Sequence, residues 1–413
     1  MVKNDTAHAK YIHELILDGI DLTQPPIQAK SDPFWKGLRD AGTELWLDTG
    51  DMDDAASIWT SEMTALTTNN TLLNREVQKG IYDEFIAQAN DLLSDFSVGE
   101  RIMEIAFILN ARHGLRLVQK FGGRVSVELH TDLSDDLDGI LHYGQRFHSI
   151  SPDHFIVKVP LTATGLLGAR KLREQGIPVN FTLEFSARQN ALVTAVAKPN
   201  YCNVFLGRLN SYVAGNNLGD GAWVGEKATI SSQRIVSKLS AGHKEPTKQI
   251  AASLRNGEQL ASLAGVDVFT MPTKVAREGH EKLDGKFASK VSEDYPVSLG
   301  PGINENDVHL SKVWEVSDEV LELAKNLDEK PPRDGEELVV RARQMGCTDL
   351  FPDLTDEDYN FLSSEGKIPK HSRWESRIRE GQLAIDTLLN IAGLASFAAD
   401  QAELDTRIRG IIS

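Results

Sequence analysis

The chain has very little cysteine, since Cys202 and Cys347 are the only two among 413 residues. Two cysteines are too few for the disulfide framework that stabilises small secreted domains, and their scarcity fits a reducing cytosol. The sequence also lacks a run of about 18 apolar residues, which a membrane-spanning helix would need. Its first residues, MVKNDTAHAKYIHELILDG, lack the apolar core of a signal peptide. These absences predict a soluble cytoplasmic protein without a membrane partner.

An excess of positive charge is also lacking. The 44 lysine and arginine residues face 60 aspartate and glutamate residues, and the formal net charge is −16. Neutralising nucleic-acid phosphates requires clustered basic residues, so a broad nucleic-acid-binding face is excluded. Local basic pockets for small phosphates are compatible with this charge. The hydrophobic content of 41% predicts a globular chain, and the length allows one large domain with attachments or two domains.

Sequence patterns for metal binding are missing as well. Neither a His-Glu-x-x-His helix nor a Cys-x-x-Cys pair occurs. The acidic run HTDLSDDLDGILH at 130–142 falls short of a calcium loop, because Ser134 stands where Asp is expected and Gln145 stands in place of the twelfth-position Glu. We interpret this run as the solvated start of a helix. No metal and no other cofactor are predicted.

Short apolar runs alternate with helical patterns along the chain. The apolar runs predict strands near 44–48, 63–67, 124–128, 154–159, 178–182, 201–206, 248–252 and 267–271. Apolar residues at three-to-four spacing predict helices at 53–62, 72–93, 99–121, 163–175 and 228–240. Such alternation predicts an α/β fold, a (β/α)8 TIM barrel. A doubly wound open sheet is the main alternative, but GDGAWVG at 219–225 has Val224 where its fingerprint needs a third glycine.

Composition divides the chain into four predicted segments. Residues 1–42 are expected to form an N-terminal helix and connector, 43–304 the barrel core, 305–372 an inserted segment of helices and loops, and 373–413 a C-terminal helix on the barrel. The inserted segment is acidic and loop-rich, and a long periodic helix follows from about 375 to 411. Within the insertion, the amphipathic stretch VWEVSDEVLELAKNL is interpreted as core-facing packing.

Polar residues stand where the predicted strands end, which is the catalytic end of such barrels. Alone, each has an ordinary explanation: Lys158 as a surface residue, Asp48 as a turn former, Asn180 as a turn residue. Together they form a candidate site, because the strand ends of a closed barrel meet at one face. The candidates are Asp48, Asn69, Glu128, Lys158, Asn180, Thr182, Asn203, Phe205, Arg208, Ser253 and Arg255.

Lys158 is the unusual member of this set, since it stands in the strand HFIVKVP among apolar residues. Strand alternation puts it on the same face as Ile156, inside the barrel. An amine that loses hydration there favours its neutral form, which attacks carbonyl carbon and forms a Schiff base. Glu128 and Asp48 are carboxylates that could divide the proton transfers between them. This chemistry makes and breaks carbon–carbon bonds without a metal.

The remaining candidates predict how a sugar phosphate would be held. Asn69 and Asn180, with Thr182, offer neutral hydrogen bonds to hydroxyls or to a bound water. Arg208 and Arg255, with Ser253, would form a phosphate clamp after the sixth and seventh strands.

At this point the chain resembles transaldolase, a class I aldolase-like (β/α)8 family. The resemblance lies in DTGD at 48–51, TTN at 67–69, VSVE at 125–128, IVKVP at 156–160, GIPVNFTLEFS at 176–186, FLGR at 205–208, ASLRN at 252–256, LAGVDVFTMP at 263–272 and FAADQAELDTRI at 397–408. The last of these looks like the closing helix of the family.

The family roles carry over onto the matching positions. The resemblance implies Lys158 as the Schiff-base lysine, Glu128 as an acid/base acting through a water held by Thr182, and Asp48 as the base that triggers carbon–carbon cleavage. It further implies that Asn69 and Asn180 hold the dihydroxyacetone unit, and that Asn203 and Phe205 stand at further substrate-binding positions. Arg208, Arg255 and Ser253 would bind the phosphate.

The chain departs from the family pattern in several places. The family usually has TTNP, whereas Asn70 follows Asn69 here. Asn203 and Val204 replace a serine and a proline, and the aromatic residue usual after the lysine strand is Ala163 or Thr164. The excursion at 305–372 has no counterpart in short members of the family. These changes leave the chemistry intact and leave the acceptor sugar open.

The resemblance predicts a transferase of the non-oxidative pentose phosphate pathway. It would move a dihydroxyacetone unit from sedoheptulose 7-phosphate or fructose 6-phosphate to an aldose phosphate. An aldolase of the fructose 6-phosphate type, or a transaldolase for an unusual sugar, is the first alternative. Glu128 and Phe205 argue against the former, since those aldolases commonly have glutamine and tyrosine there. A non-catalytic sugar-phosphate-binding barrel is the other alternative, and the resemblance allows a homodimer.

Overall fold

The computed structural model describes residues 6–413, so residues 1–5 of the predicted N-terminal helix lie outside the described range. Eight parallel strands close into a barrel, in which each strand pairs with the next and the last pairs with the first. The predicted (β/α)8 barrel is confirmed. The strands are β1 Glu44–Asp48, β2 Met63–Thr67, β3 Arg124–Glu128, β4 Phe155–Pro160, β5 Val179–Thr182, β6 Tyr201–Phe205, β7 Lys248–Ala252 and β8 Val268–Met271.

Helices surround this barrel and extend it at both ends of the chain. The α-helices of the barrel and its N-terminal extension are α1 Thr6–Leu17, α2 Pro33–Asp40, α3 Met52–Ala56, α4 Asn70–Gln78, α5 Asp83–Leu92, α6 Val98–Phe121, α7 Leu137–Ile150, α8 Ala163–Glu174, α9 Ala187–Val196, α10 Leu206–Gly215, α11 Val224–Ser240, α12 Glu258–Ser262 and α13 Thr273–Lys282. Those that follow are α14 Glu305–Val308, α15 Asp318–Glu329, α16 Gly335–Gln344, α17 Asp356–Glu365, α18 His371–Arg379 and α19 Ile385–Ile412. Short 3-10 helices occupy Thr131–Leu133, Leu310–Val313 and Thr348–Leu350. Within residues 6–413, none of the helices combines the length and apolar character that crossing a membrane requires.

Three helix predictions differ from the structure. The segment 72–93 contains two helices, α4 and α5, with Gly80 between them at φ 78°. The predicted helix from 375 to 411 is likewise two, α18 and α19, and Gly381 has φ 70° in the break. Glycine adopts such positive φ angles without a steric penalty, which ends a helix even where the apolar pattern continues. The segment 53–62 forms only the short helix α3.

The acidic run at 130–142 is a helix start, as interpreted from the sequence. The side chain of Asp136 accepts a hydrogen bond from the backbone N–H of Gly139 at 3.0 Å and so caps α7. No group of three or more His, Cys, Asp or Glu side chains in the described part of the chain is arranged to hold a metal ion.

The barrel interior contains its own apolar layer below the carboxyl ends of the strands. The buried cluster there consists of Trp46, Ala65, Ile156, Tyr201, Ile250, Ala252 and Val268. Val157 and Val159 of β4 alternate with Ile156 and belong to the larger core between strands and helices. Lys158 therefore points inward above the apolar layer, and it is only 5% exposed. This is the orientation that strand alternation predicts.

The inserted segment is more helical than its loop-rich composition predicts. Its helix α15 packs against α9, and the apolar face that includes Leu323 and Leu327 is buried, as its amphipathic pattern indicates. A buried ionic network fixes the insertion to the barrel. Arg188 of α9 donates to Asp349 at 2.9 Å and donates twice to Asp386 of α19, at 2.7 Å each.

Helix α19 crosses the carboxyl end of the barrel. The side-chain amide of Asn390 donates to the carbonyl oxygens of Leu161 at 3.1 Å and Leu183 at 2.8 Å, which follow β4 and β5. Gly393 lies against the guanidinium of Arg208 and the side chain of Leu183, where a Cβ atom would be crowded. The helix thus covers part of the strand ends and brings Phe397 to the pocket described next.

Candidate active site

One pocket opens at the carboxyl ends of the strands, with a volume of about 290 Å³. All the predicted site residues except Glu128 and Thr182 line it. The lining comprises Asp48, Thr67, Asn69, Thr71, Leu72, Arg75, Lys158, Asn180, Asn203, Phe205, Arg208, Ala252, Ser253, Leu254, Arg255, Thr270, Pro272, Lys367 and Phe397. Its size is near the lower end for small-molecule sites, and it is rich in charge, so a small polar ligand fits it.

The amine of Lys158 is surrounded by polar groups at its tip. Its Nζ donates to the carbonyl oxygen of Thr68 at 3.3 Å and lies 3.8 Å from Oε2 of Glu128. The Phe397 ring centroid is 5.9 Å away. The strand around Lys158 is apolar, as the sequence predicts, and Glu128 lies beside the amine, whereas the contact with the Thr68 carbonyl was not predicted. A neutral amine can arise here by proton transfer to Glu128.

Glu128 is 3% exposed and lies behind Lys158, outside the pocket lining. Burial raises the pKa of its carboxyl, while the Lys158 ammonium and a hydrogen bond from the backbone N–H of Asn70 lower it. That N–H lies 3.2 Å from Oε2. The raised pKa makes Glu128 a better proton acceptor than an exposed glutamate.

Asp48 ends β1 and faces the open pocket. Its Oδ1 accepts a hydrogen bond from the Thr67 hydroxyl at 3.0 Å, and that hydroxyl is 3.0 Å from the hydroxyl of Thr270. Burial raises the pKa of Asp48, and the charge of Lys158 opposes this. The threonines fix the carboxylate's direction, so a base is held ready on the substrate side of the lysine.

Amide side chains line the barrel next to Lys158. Asn203 donates to Oδ1 of Asn180 at 2.9 Å and also to the carbonyl of Phe181, and Asn180 donates to Ser126 at 3.0 Å. Asn203, which replaces the family's serine, thus occupies an acceptor atom of Asn180. Thr182 is fully buried, and its hydroxyl has no hydrogen-bond partner among residues 6–413.

Asn69 serves two purposes at the end of β2. Its Oδ1 accepts the backbone N–H of Leu72 at 2.8 Å and caps helix α4. The same residue lines the pocket. The structural and functional interpretations of this residue are therefore compatible, because capping uses only the carbonyl oxygen.

The cationic end of the pocket contains Arg208 and Arg255. Arg208 is 5% exposed, sits over the rings of Phe205 at 5.2 Å and Phe397 at 5.6 Å, and one guanidinium nitrogen has no partner in the described chain. Burial and the neighbouring Arg255 lower its pKa to about 10. Ser253 has φ 62°, which is unusual for serine and places strain at the same end. An anion would satisfy both arginines.

Several lining residues were not predicted from the sequence. Thr67 and Thr270 orient Asp48. Thr67 lies in the TTN motif at 67–69, so the sequence could have indicated it as a site residue. Phe397 begins the FAADQ motif, where only the helix was recognised. Arg75 and Lys367 lie outside the motifs recognised in the sequence, and only the fold brings them to the pocket.

A closed barrel with a lysine on its fourth strand, two carboxylates beside it and two arginines at the same mouth defines an enzyme of the aldolase-type barrels. The profile described as transaldolase/fructose-6-phosphate aldolase matches residues 45–307. This is more than half of the chain, so the chain belongs to that family. The predicted family and its transferase class are confirmed.

Individual relatives agree with this assignment. A probable transaldolase of Thermus thermophilus is 32% identical over 239 residues, covering 57% of this chain and 89% of that protein. A transaldolase of Chlamydia trachomatis is 28% identical over 245 residues, covering 57% and 74%. A transaldolase of Xanthomonas euvesicatoria is 27% identical over 268 residues, covering 63% and 79%. The matched region contains the barrel, and most of the insertion lies beyond the profile.

Proposed function

We propose that this protein is a transaldolase that moves a dihydroxyacetone unit from a ketose phosphate, such as sedoheptulose 7-phosphate or fructose 6-phosphate, to an aldose phosphate. The observation that carries the proposal is that Lys158 lines one pocket together with Asp48 and the two arginines, while Glu128 lies 3.8 Å behind its amine. The names of the relatives support the same reaction. Such a step belongs to the non-oxidative pentose phosphate pathway.

The reaction begins when Glu128 accepts the proton of the Lys158 ammonium. The neutral amine attacks the C2 carbonyl of the ketose, and the carbinolamine loses water, so that a carbon–nitrogen double bond replaces the carbonyl. Glu128 returns the proton to the departing hydroxyl. The hydroxyl of Thr182 has no hydrogen-bond partner among residues 6–413, so it is suited to holding a water through which Glu128 transfers this proton.

Cleavage then uses Asp48. This carboxylate takes the proton of the C4 hydroxyl, the C3–C4 bond breaks, and its electron pair moves into the iminium to give an enamine. The first aldose phosphate leaves with the new carbonyl at the former C4. An acceptor aldehyde reverses these steps with the enamine, and hydrolysis releases the new ketose phosphate and restores the lysine.

Borohydride trapping tests the mechanism directly. With fructose 6-phosphate, reduction should label Lys158 covalently, as peptide mapping would show, and abolish turnover. Lys158→Met should neither be labelled nor turn over substrate, whereas Lys36→Met should behave as the unchanged protein. Lys36 lies on α2 with a side chain 64% exposed, so it is a matched control. Active protein without any lysine adduct would refute the Schiff-base mechanism.

A related reaction on an unusual sugar is the second candidate, and Asn203 favours it. Its amide occupies an acceptor atom of Asn180, which changes the hydrogen bonds that a substrate hydroxyl meets. A panel of ketose donors and aldehyde phosphates of differing length would rank the substrates. Free dihydroxyacetone released without an acceptor would instead support a lyase of the fructose 6-phosphate aldolase type, and ligand binding without turnover would support a non-catalytic barrel.

We also propose a cytoplasmic location, which the two free, buried cysteines support. Sugar phosphates are the proposed small-molecule partners. A homodimer stays a prediction that sedimentation analysis can test.

A further inference from the structure

The inserted segment reaches the pocket through one charged side chain. Lys367 follows α17 and lines the pocket together with Lys158, Arg208 and Arg255. Its Nζ lies 3.9 Å from Asp400 of α19, and its side chain is 46% exposed at the pocket mouth. The profile of the family ends at residue 307, so this lysine comes from a part of the chain outside the matched region.

The backbone around Lys367 is fixed to the helix that carries Arg208. Asn216, which caps the end of α10, donates to the carbonyl of Pro369 at 3.1 Å and accepts from the backbone N–H of His371 at 2.8 Å. The ring of His371 also hydrogen-bonds the hydroxyl of Tyr212 on α10 at 2.8 Å. Arg208 lies on the first turn of the same helix, so α10 fixes the positions of both Arg208 and the backbone around Lys367.

Asp400 alone does not neutralise the charge of Lys367. Asp400 also accepts a hydrogen bond from the hydroxyl of Thr71, so its charge is shared. Burial lowers the pKa of Lys367, and the cations Arg208, Arg75 and Arg255 act in the same direction against Asp400. The lysine therefore stands in a positive field that an anionic ligand would relieve.

The charges around the pocket match one phosphate dianion. Arg75, Lys158, Arg208, Arg255 and Lys367 line the pocket, and the carboxylates beside these cations are those of Asp48, Glu128 and Asp400. Five cations against three carboxylates leave a formal excess of two positive charges, which is close to the charge of a phosphate monoester at neutral pH. Without Lys367 the excess would be half as large.

We propose that Lys367 is a substrate-binding residue that contributes a third cation to the phosphate site, so that the insertion takes part in selecting phosphorylated sugars. This inference rests on the proposed function for the identity of the substrate. The ammonium contacts the phosphate from the inserted segment, whereas Arg208 contacts it from the first turn of α10 and Arg255 from the segment that follows β7. An ammonium is a point charge without fixed geometry, so it suits a contact at a partly exposed mouth.

Substitution of Lys367 provides the test. Lys367→Met keeps the length of the side chain and removes its charge. It should raise KM for fructose 6-phosphate roughly tenfold, the usual effect of losing one charge-assisted contact, and leave kcat nearly unchanged. The affinity for inorganic phosphate should fall by a similar factor, whereas kcat/KM for unphosphorylated fructose should not change. Lys367→Arg should restore most of the affinity.

A lysine elsewhere in the insertion serves as the control. Lys325 on α15 has a side chain 74% exposed and forms a 3.9 Å ion pair with Glu329 on the same helix, so Lys325→Met should leave both KM and phosphate affinity unchanged. An unchanged KM and phosphate affinity in Lys367→Met would overturn the inference. Failure of the proposed function is separately visible, because it would show as absent lysine labelling in the unchanged protein, and phosphate binding would still test Lys367.

Discussion

The hydrogen bond from Asn70 to Glu128 offers a sharp test of the proposed acid/base role. Asn70 is the first residue of α4 and replaces the proline usual in the family, and its backbone N–H donates to Oε2 of Glu128 at 3.2 Å. Proline is well tolerated at the first position of a helix. Asn69 before it has φ −153° and ψ 171°, which is a conformation that precedes proline readily. Asn70→Pro should therefore fold, and it removes this backbone donor together with the side-chain contacts of Asn70.

The expected shift follows from the energy of that bond. A hydrogen bond to a charged group contributes about 1.5–3 kcal/mol, and the length of this one favours the lower value. The bond stabilises the carboxylate and lowers the pKa of Glu128, so its loss raises that pKa. Since about 1.4 kcal/mol is a tenfold change in an equilibrium constant, the acid limb of the kcat/KM profile should move up by about one pH unit.

Asn70→Ala is the matched control. It keeps the backbone N–H and loses the same side-chain contact, a 3.4 Å hydrogen bond to the carbonyl of Leu129. In profiles of kcat/KM against pH, the acid limb of Asn70→Pro should lie at higher pH than the acid limbs of Asn70→Ala and of the unchanged protein. Superimposed profiles for the two variants would refute the claim that Glu128 must be ionised at the start of the reaction.

Three further substitutions address cleavage, stability and phosphate binding. Asp48→Asn should lower kcat for transfer at least a hundredfold while borohydride labelling of the lysine persists, and rapid transfer would contradict its role as base. Arg188→Met should lower the free energy of unfolding by about 3–5 kcal/mol in urea titrations, because it leaves Asp386 buried without its partner; unchanged stability would show the network to be dispensable. Gly207→Ala should raise KM for sugar phosphates severalfold, since a Cβ there would overlap the carbonyl oxygen of Ser253, and an unchanged KM would show that this loop yields without affecting the phosphate site.

The strands were predictable because they are buried on both faces. Four of the eight predicted ranges, among them β1 and β3, match the structure at both ends, and the others differ by a residue or so at one or both ends. The helices were less predictable, because periodicity reports which face is buried and not where the chain turns. Gly80 and Gly381 each break a helical pattern that continues on both sides. Such breaks depend on how the following helix packs against the rest of the fold, as α19 does against α4 and α6.

The site was predictable to the extent that it lies on strand ends. Lys158, Glu128 and Asp48 are placed by strand register and motif, and they come together as expected. Lys367 could not be found in this way, because its place depends on how a long excursion packs onto α10. The carbonyl of Thr68 that the lysine amine meets could not be found either, since it belongs to the backbone just after β2.

The two carboxylates cannot exchange roles, because the fold gives them different neighbours. Glu128 is buried behind the amine, receives a backbone N–H, and lies within ion-pair distance of Lys158. It can therefore exchange protons with the nitrogen but does not line the pocket. Asp48 lines the pocket and is oriented by the hydroxyl of Thr67, so it can reach a substrate hydroxyl. Imine chemistry and carbon–carbon cleavage need separate bases, and the closed barrel supplies one from β3, the neighbour of the lysine strand β4, and the other from β1.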